Sequence, residues 1–133
     1  MSQENVETLV RRCFAAWNVR DVEALVADFH PDCELLLPRS ALEGGTYRGR
    51  QGVRQAVVDT FDTWDSHRIH IEEVRVSGDR SVALGRATAV GKGNAPSVEY
   101  EAAYVINVRD GQIAYLRPFQ SKADALKAVG LEE

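Results

Sequence analysis

The feature that most constrains this fold is a change, part-way along the chain, in the period of the apolar residues. Up to about residue 64 they recur at helical spacing, and from His67 onward they alternate as in strands. Helices followed by antiparallel hairpins are typical of an α+β domain whose helices pack on one face of a sheet. The 133 residues show no repeat or linker, so residues 1–133 are predicted to form a single domain.

Three amphipathic helices are predicted before this change. The first carries one apolar stripe of Val6, Leu9, Val10, Cys13, Phe14 and Trp17, and Ser2 can cap its N-terminus. Asp21 is the predicted cap of a second helix, which includes Phe29 and ends before Pro31. After a turn-rich segment at 43–49, a third helix extends to Trp64.

Five strands and a final helix complete the predicted fold. The strands cover residues 33–37, 68–77, 81–90, 98–108 and 113–119. Asp110 and Gly111 form a strong hairpin signal between the last two. The segment from Ser121 to Asp124 resembles a capping box, and Gly130 fits the C-terminal stop of the helix.

Composition limits the class of partner and the compartment. The 16 basic and 20 acidic residues are spread along the chain and give a net charge of −4, so no nucleic-acid partner is expected. No apolar run approaches the roughly 20 residues that span a bilayer, so no membrane partner is expected. The polar N-terminus lacks the features of a signal peptide, which predicts a cytoplasmic protein. Cys13 and Cys33 are predicted to be buried, reduced thiols, although spacing alone leaves a disulfide open.

Three segments, taken in order and spacing, suggest a family. They are the helix connection at 16–21, the glycine-rich segment 43–53 that leads into a helix, and the hairpin at 109–113 followed by 125–131. Together they resemble the SnoaL-like polyketide cyclases and ketosteroid-isomerase-type domains of the nuclear transport factor 2-like superfamily. The resemblance implies a cone-shaped, cystatin-like α+β roll, in which a curved antiparallel sheet wraps around the N-terminal helices. It also implies a pocket between helices and sheet, and commonly a homodimer.

The resemblance does not settle the activity, because the family includes isomerases, cyclases, epoxide hydrolases, dehydratases and non-catalytic binders. An ungapped match places the ketosteroid isomerase tyrosine on Cys13, its carboxylate base on Leu37 and its oxyanion-hole aspartate on Ala103. Leucine cannot accept a proton, alanine cannot donate a hydrogen bond, and a thiol is a weak donor. Isomerisation by that route is therefore not expected, and both a different enzyme and a non-catalytic binder remain open.

One carboxylate remains as a candidate acid–base group. If Ala103 faces the pocket, strand alternation places Glu99, Glu101 and Val105 on the same face. Glu101 is then the best candidate for a catalytic residue. The alternative is that both glutamates lie near the exposed end of the strand and pair with arginines such as Arg86.

The predicted ligand is a small hydrophobic molecule, bound without a cofactor. The residues predicted to line its pocket are Cys13, Trp17, Phe29, Leu35, Leu37, Tyr47, Phe61, Trp64, Ala103, Val105 and Leu116. For the aromatic residues among them, a place in the ordinary core is the alternative. The hydroxyl of Tyr47 could equally make a structural hydrogen bond to the backbone.

The opposite face of the sheet is predicted to form the homodimer interface. Alternation places Tyr104, Tyr115, Arg117 and Phe119 there, and exposed aromatic residues with an arginine are typical interface anchors. Simple surface exposure is the alternative.

Metal and phosphate sites are not predicted. His67 and His70 are three apart in a strand, so their side chains point to opposite faces, and His30 lies in a turn. The glycine-rich segment 44–52 lacks the Gly-Lys-Ser/Thr ending of a phosphate-binding loop. Cys13 has no histidine near it in sequence, which argues against a nucleophile.

Overall fold

A computed structural model of the chain describes residues 2–37, 45–93 and 95–130. Pro38, at which the first strand was predicted to end, lies outside this part of the chain, and so do Gly44, Asn94 and Leu131.

Four helices are described, and capping side chains begin three of them. They are α1 (Gln3–Asn18), α2 (Val22–Ala27), α3 (Gly49–Thr63) and α4 (Lys122–Ala128). The Ser2 hydroxyl accepts a hydrogen bond from the backbone N–H of Asn5 at 3.1 Å. Asp21 and Ser121 cap α2 and α4 in the same way. The caps predicted at these three positions are confirmed, because a side-chain oxygen satisfies a free N–H of the first turn in each helix.

The strands form a six-stranded sheet. They are β1 (Phe29–Leu37), β2 (Gly45–Arg48), β3 (Trp64–Ser77), β4 (Arg80–Gly91), β5 (Ser97–Arg109) and β6 (Gln112–Phe119). Their order is β2-β1-β6-β5-β4-β3. All neighbours are antiparallel except β1 and β6, which run parallel. The segment predicted to be only turn-rich contributes β2, which pairs with β1.

Two aromatic residues predicted on helix faces belong to strands. Phe29 begins β1 and pairs with Ile113. The N–H of Ile113 donates a hydrogen bond to the carbonyl of Asp28, the residue before Phe29. Trp64 is the first residue of β3 and pairs with Gly91. Both predictions were wrong because an apolar residue at the end of a helical pattern also fits the start of a strand. Which of the two forms depends on pairing with distant residues.

Helices cover both faces of the sheet. On the inner face, α1 and α3 enclose the larger apolar cluster, which includes Val10, Phe14, Val53 and Ile106. On the outer face, α4 covers a smaller cluster of Val82, Leu84, Ala103, Val105 and Ala125.

The predicted α+β architecture, with a curved sheet around N-terminal helices, is confirmed. Within the described ranges, no helix has the length and apolarity needed to cross a bilayer. Cys13 and Cys33 are both buried and both free thiols.

Candidate functional site

A cavity of about 900 Å³ lies between the helices and the inner face of the sheet, and its lining also includes Glu101, Arg117, Phe119 and Asp124 near α4. Cys13, Phe14 and Trp17 of α1 form one wall, because they lie on the apolar stripe that faces the sheet. α3 contributes Val57 and Thr60. The opposite wall is formed by inner-face residues of the sheet, among them Ile69, Ala102, Tyr104 and Leu116.

Eight of the eleven residues predicted to line a pocket border this cavity. They are Cys13, Trp17, Phe29, Leu35, Leu37, Trp64, Ala103 and Leu116. Tyr47, Phe61 and Val105 do not border it. Phe61 packs against Trp17 with ring centroids 4.7 Å apart, and Tyr47 packs at the edge of the inner cluster.

The predicted alternation of β5, with Glu101, Ala103 and Val105 on the face toward the helices, is shifted by one residue, although Glu101 and Ala103 do border the cavity. The inner-face residues of β5 are Ala102, Tyr104, Ile106 and Val108, which belong to the cluster under α1. Ala103 and Val105 pack instead on the α4 side, although Ala103, which is buried, also borders the cavity. The inner face of β5 was assigned from the family match that falls on Ala103. An error of one residue in such an assignment turns every side chain of the strand to the opposite face.

Glu101 therefore lies at the rim of the cavity with its carboxylate bonded elsewhere. Its Oε1 accepts the backbone N–H of Lys122 at 3.3 Å, at the N-terminus of α4. Glu99 binds the guanidinium of Arg86, whose Nε lies 2.7 Å from Glu99 Oε1. This arrangement agrees with the alternative interpretation for Glu99, an ion pair near the exposed end of the strand.

Tyr104 does not belong to the outer face. It is 8% exposed, lines the cavity and packs against Phe14 with ring centroids 4.8 Å apart. The same one-residue shift explains this correction. Tyr115 and Phe119 do lie on the outer side against the α4 cluster. The guanidinium of Arg117 lies 4.7 Å from the centre of the Phe119 ring.

The main polar feature of the cavity is a row of three hydrogen-bonded side chains that was not predicted. The indole N–H of Trp17 donates to Nδ1 of His67 at 3.1 Å and is shared with the His67 carbonyl at 3.2 Å. Nε2 of His67 lies 2.7 Å from the hydroxyl of Tyr100. All three residues border the cavity. Tyr100 is 41% exposed, which places it at the cavity mouth.

Burial favours the neutral forms of His67, Tyr100, Tyr104 and Cys13. The pKa of His67 is lowered by burial and, to a lesser degree, by the charge of Arg20. Burial raises the pKa of the Tyr100 hydroxyl. The pKa of Tyr104 is also raised, mainly by burial and then by the neighbouring Tyr100 and Cys13. Burial raises the pKa of the Cys13 thiol to about 12, which disfavours a thiolate nucleophile.

Correct strand faces would have placed His67 and Tyr100 on one face of the sheet, but not their contact with Trp17. His67 pairs with Ala89 of β4, and Tyr100 pairs with Ala87. Because Ala87 and Ala89 are two residues apart, all four side chains lie on the same face of the sheet. His70 lies opposite Arg86, three residues further along β3. In the described ranges, no three His, Cys, Asp or Glu side chains are grouped so that they could hold a metal ion.

The sequence profile of the SnoaL-like domain matches residues 10–116, most of the chain. This chain belongs to the SnoaL-like family. The family resemblance inferred from the sequence is thereby confirmed. No curated protein sequence matches this SnoaL-like chain.

Solved structures share the fold of this SnoaL-like protein. A nuclear transport factor 2-like protein of unknown function from Burkholderia pseudomallei has 24% identity and a TM-score of 0.82, covering 96% of this chain and 97% of its own. A candidate polyketide cyclase from Xanthomonas campestris pv. campestris has 20% identity and a TM-score of 0.79, with coverage of 96% and 98%. A protein of ketosteroid isomerase-like fold from Catenulispora acidiphila, in complex with trimethylamine, has 21% identity and a TM-score of 0.76, with coverage of 92% for both chains.

Proposed function

We propose that this protein binds a small hydrophobic molecule in the cavity between α1, α3 and the inner face of the sheet. The observation that supports this most directly is the cavity itself, whose volume of about 900 Å³ is that of a small-molecule site. Its walls are largely apolar, and the charged side chains of Glu101, Arg117 and Asp124 also border it. The apolar part of a ligand would therefore be buried against apolar side chains. The Catenulispora acidiphila protein, with the same fold, was crystallised with a small molecule.

A ligand screen followed by a site-specific reporter tests this proposal. Thermal shift is measured against polyketide, steroid, terpenoid and fatty-acid-like compounds. A ligand at a hundred times its dissociation constant adds about 2.7 kcal/mol to the free energy of unfolding. At this chain length that corresponds to a rise of about 10 °C in Tm. A flat panel with folded protein would contradict the proposal for those classes.

The two tryptophans locate any binding that the screen finds. Trp17 and Trp64 are the only two in the sequence, and both border the cavity. A ligand in the cavity is therefore expected to change the intrinsic fluorescence. A variant that extends a side chain into the cavity, Ala102→Leu, is expected to weaken binding. Thr88→Leu, at an exposed position of β4, is the control and should leave affinity unchanged.

A catalytic role as an isomerase, cyclase or lyase is a second candidate, and one observation favours it. The pKa of His67 is lowered, which favours its neutral form, and its Nε2 is hydrogen-bonded to Tyr100 at 2.7 Å, so the pair could deliver a proton through the Tyr100 hydroxyl to a bound substrate. Glu101 is a weaker candidate because its carboxylate accepts the N–H of Lys122. Turnover that is lost in His67→Gln but kept in Glu101→Gln would support the histidine route. A non-catalytic binder would show no turnover in any variant.

We also propose a homodimer formed through the outer face of the sheet, with Tyr115, Arg117 and Phe119 in the interface. The support is the stacking of Arg117 on Phe119, because aromatic and arginine side chains are enriched in interfaces. Sedimentation equilibrium of Arg117→Glu is expected to show a monomer. Arg48→Glu replaces an exposed side chain of β2, away from the proposed interface, and is the control. This variant should stay dimeric. A wild-type monomer would favour simple surface exposure.

Two further sequence predictions are carried forward as proposals. Residues 1–133 are proposed to form a single domain, and limited proteolysis should find no cleavage point that yields two stable fragments. The protein is proposed to be cytoplasmic, which cell fractionation can check.

A further inference from the structure

The hydrogen bonds of the Trp17–His67–Tyr100 row run in one direction, from Trp17 through His67 to Tyr100, and the indole of Trp17 sets it. An indole N–H can only donate a hydrogen bond, so Nδ1 of His67 must accept it and carries no hydrogen. In a neutral ring the hydrogen is then on Nε2, and this N–H points at the oxygen of Tyr100. The tyrosine oxygen acts as an acceptor in that bond. Its own hydrogen is therefore free to be donated elsewhere.

The surroundings of Tyr100 favour a neutral acceptor. The hydroxyl borders the cavity mouth, and the described residues offer no other hydrogen-bond acceptor to it. Arg117 is the only arginine or lysine among the described residues that line the cavity, and its guanidinium stacks on Phe119. A ligand carboxylate placed in the cavity beside Tyr100 would gain no free cation from the described lining and would meet the carboxylates of Glu101 and Asp124 there. Burying an unpaired charge is far more costly than burying a hydrogen-bonded carbonyl.

We propose that the Tyr100 hydroxyl is the anchor for the carbonyl oxygen of an uncharged hydrophobic ligand, a ketone, lactone or quinone, and that Trp17 positions this anchor by fixing the tautomer of His67. This inference rests on the proposed function, because it requires that the ligand occupy the cavity. It adds the class of ligand and the atom that is recognised. Trp17 does not donate to the ligand in this scheme, so it is a positioning residue.

Three tricyclic probes of nearly equal size test the ligand class. They are 9-fluorenone, which has a carbonyl; fluorene, which has no acceptor; and fluorene-9-carboxylate, which is charged. By calorimetry, fluorenone is expected to bind about three- to tenfold more tightly than fluorene, the factor typical of one neutral hydrogen bond. The carboxylate should bind most weakly. In Tyr100→Phe the preference for fluorenone should disappear while fluorene affinity is kept. Tyr47→Phe, which does not border the cavity, is the matched control and should keep the preference.

The outcomes separate the anchor from the cavity. If fluorenone and fluorene bind equally well, or the carboxylate binds most tightly, the anchor is overturned while binding in the cavity stands. A preference for fluorenone that survives in Tyr100→Phe overturns the anchor as well. If none of the three probes binds, the proposed function fails for aromatic ligands of this size and the inference fails with it.

A spectroscopic measurement on the ligand-free protein tests the role of Trp17. The ¹⁵N shifts of His67, assigned with a His67→Gln variant, should show a protonated Nε2 and an unprotonated Nδ1. In Trp17→Phe the ring should shift toward a mixture of tautomers, and the preference for fluorenone should fall. An Nδ1–H tautomer in the wild type, or unchanged shifts in Trp17→Phe, would overturn the positioning role.

Discussion

Replacing Gly85 with alanine is expected to destabilise the fold strongly through a backbone clash. β3 has a bulge between Ile71 and Glu73, and there its backbone passes over Gly85 of β4. A Cβ on Gly85 would lie 1.8 Å from the carbonyl oxygen of His70 and 2.8 Å from its carbonyl carbon. Real Cβ atoms essentially never approach within 3.0 Å, so one strand would have to move by more than 1 Å. Because both clashing atoms belong to the backbone, rotation of a side chain cannot relieve the overlap.

The expected cost is about 3 kcal/mol or more, at the upper end of the range for overpacking. For a chain of this length that lowers Tm by roughly 12 °C. Thermal and urea denaturation followed by circular dichroism measure it. Gly78→Ala is the control, because Gly78 has φ +67° but nothing within 4 Å of its Cβ position. That variant should lose only about 1 kcal/mol, from left-handed strain. If Gly85→Ala is no less stable than Gly78→Ala, the steric reasoning is refuted.

Three further predictions concern particular side chains. Glu101→Gln should lower the free energy of unfolding by at most about 1 kcal/mol, because the change weakens only the acceptor of the Lys122 N–H. Ligand affinity should stay unchanged, and its loss would contradict this structural role for Glu101. Because the pKa of His67 is lowered, the unfolded chain binds its proton first as pH falls below about 6.5. Urea denaturation should therefore show stability decreasing from about pH 7 toward about pH 5.5, with a smaller decrease in His67→Gln. Asn18→Ala should cost about 2 kcal/mol in thermal denaturation, because the Asn18 amide bonds both the carbonyl (2.7 Å) and the N–H (2.8 Å) of Ile69 on the free edge of β3. A variant as stable as wild type would contradict that role.

The local elements were predictable because their signals are local. The capped helix α1 follows from Ser2 and its apolar stripe. The β5–β6 hairpin follows from Asp110 and Gly111, which have φ values of 55° and 75° and so suit a turn in which both central residues are left-handed. In the candidate site, Cys13, Trp17 and Leu116 were identified because a helix stripe or a strand face was assigned correctly.

The faces of β5 could not be predicted in the same way. Residues 102–106 are all buried, because α1 covers one side of the strand and α4 covers the other. A strand that is buried on both faces shows no contrast between polar and apolar positions, so its alternation carries no information about which face is inner. The faces that the structure shows remove Glu101 from the cavity interior and place Tyr100 and Tyr104 on the inner face.

The sequence by itself determined the class of fold, most element boundaries and the family, because periodicity, caps and turn residues act over a few positions. Only the tertiary structure decided that β1 lies parallel to β6, that Phe29 and Trp64 begin strands, and that His67 meets both Trp17 and Tyr100. Each of these contacts joins residues more than twenty-five positions apart in the chain. Such pairings depend on how packed elements meet in space, and no short-range pattern in the sequence encodes that meeting.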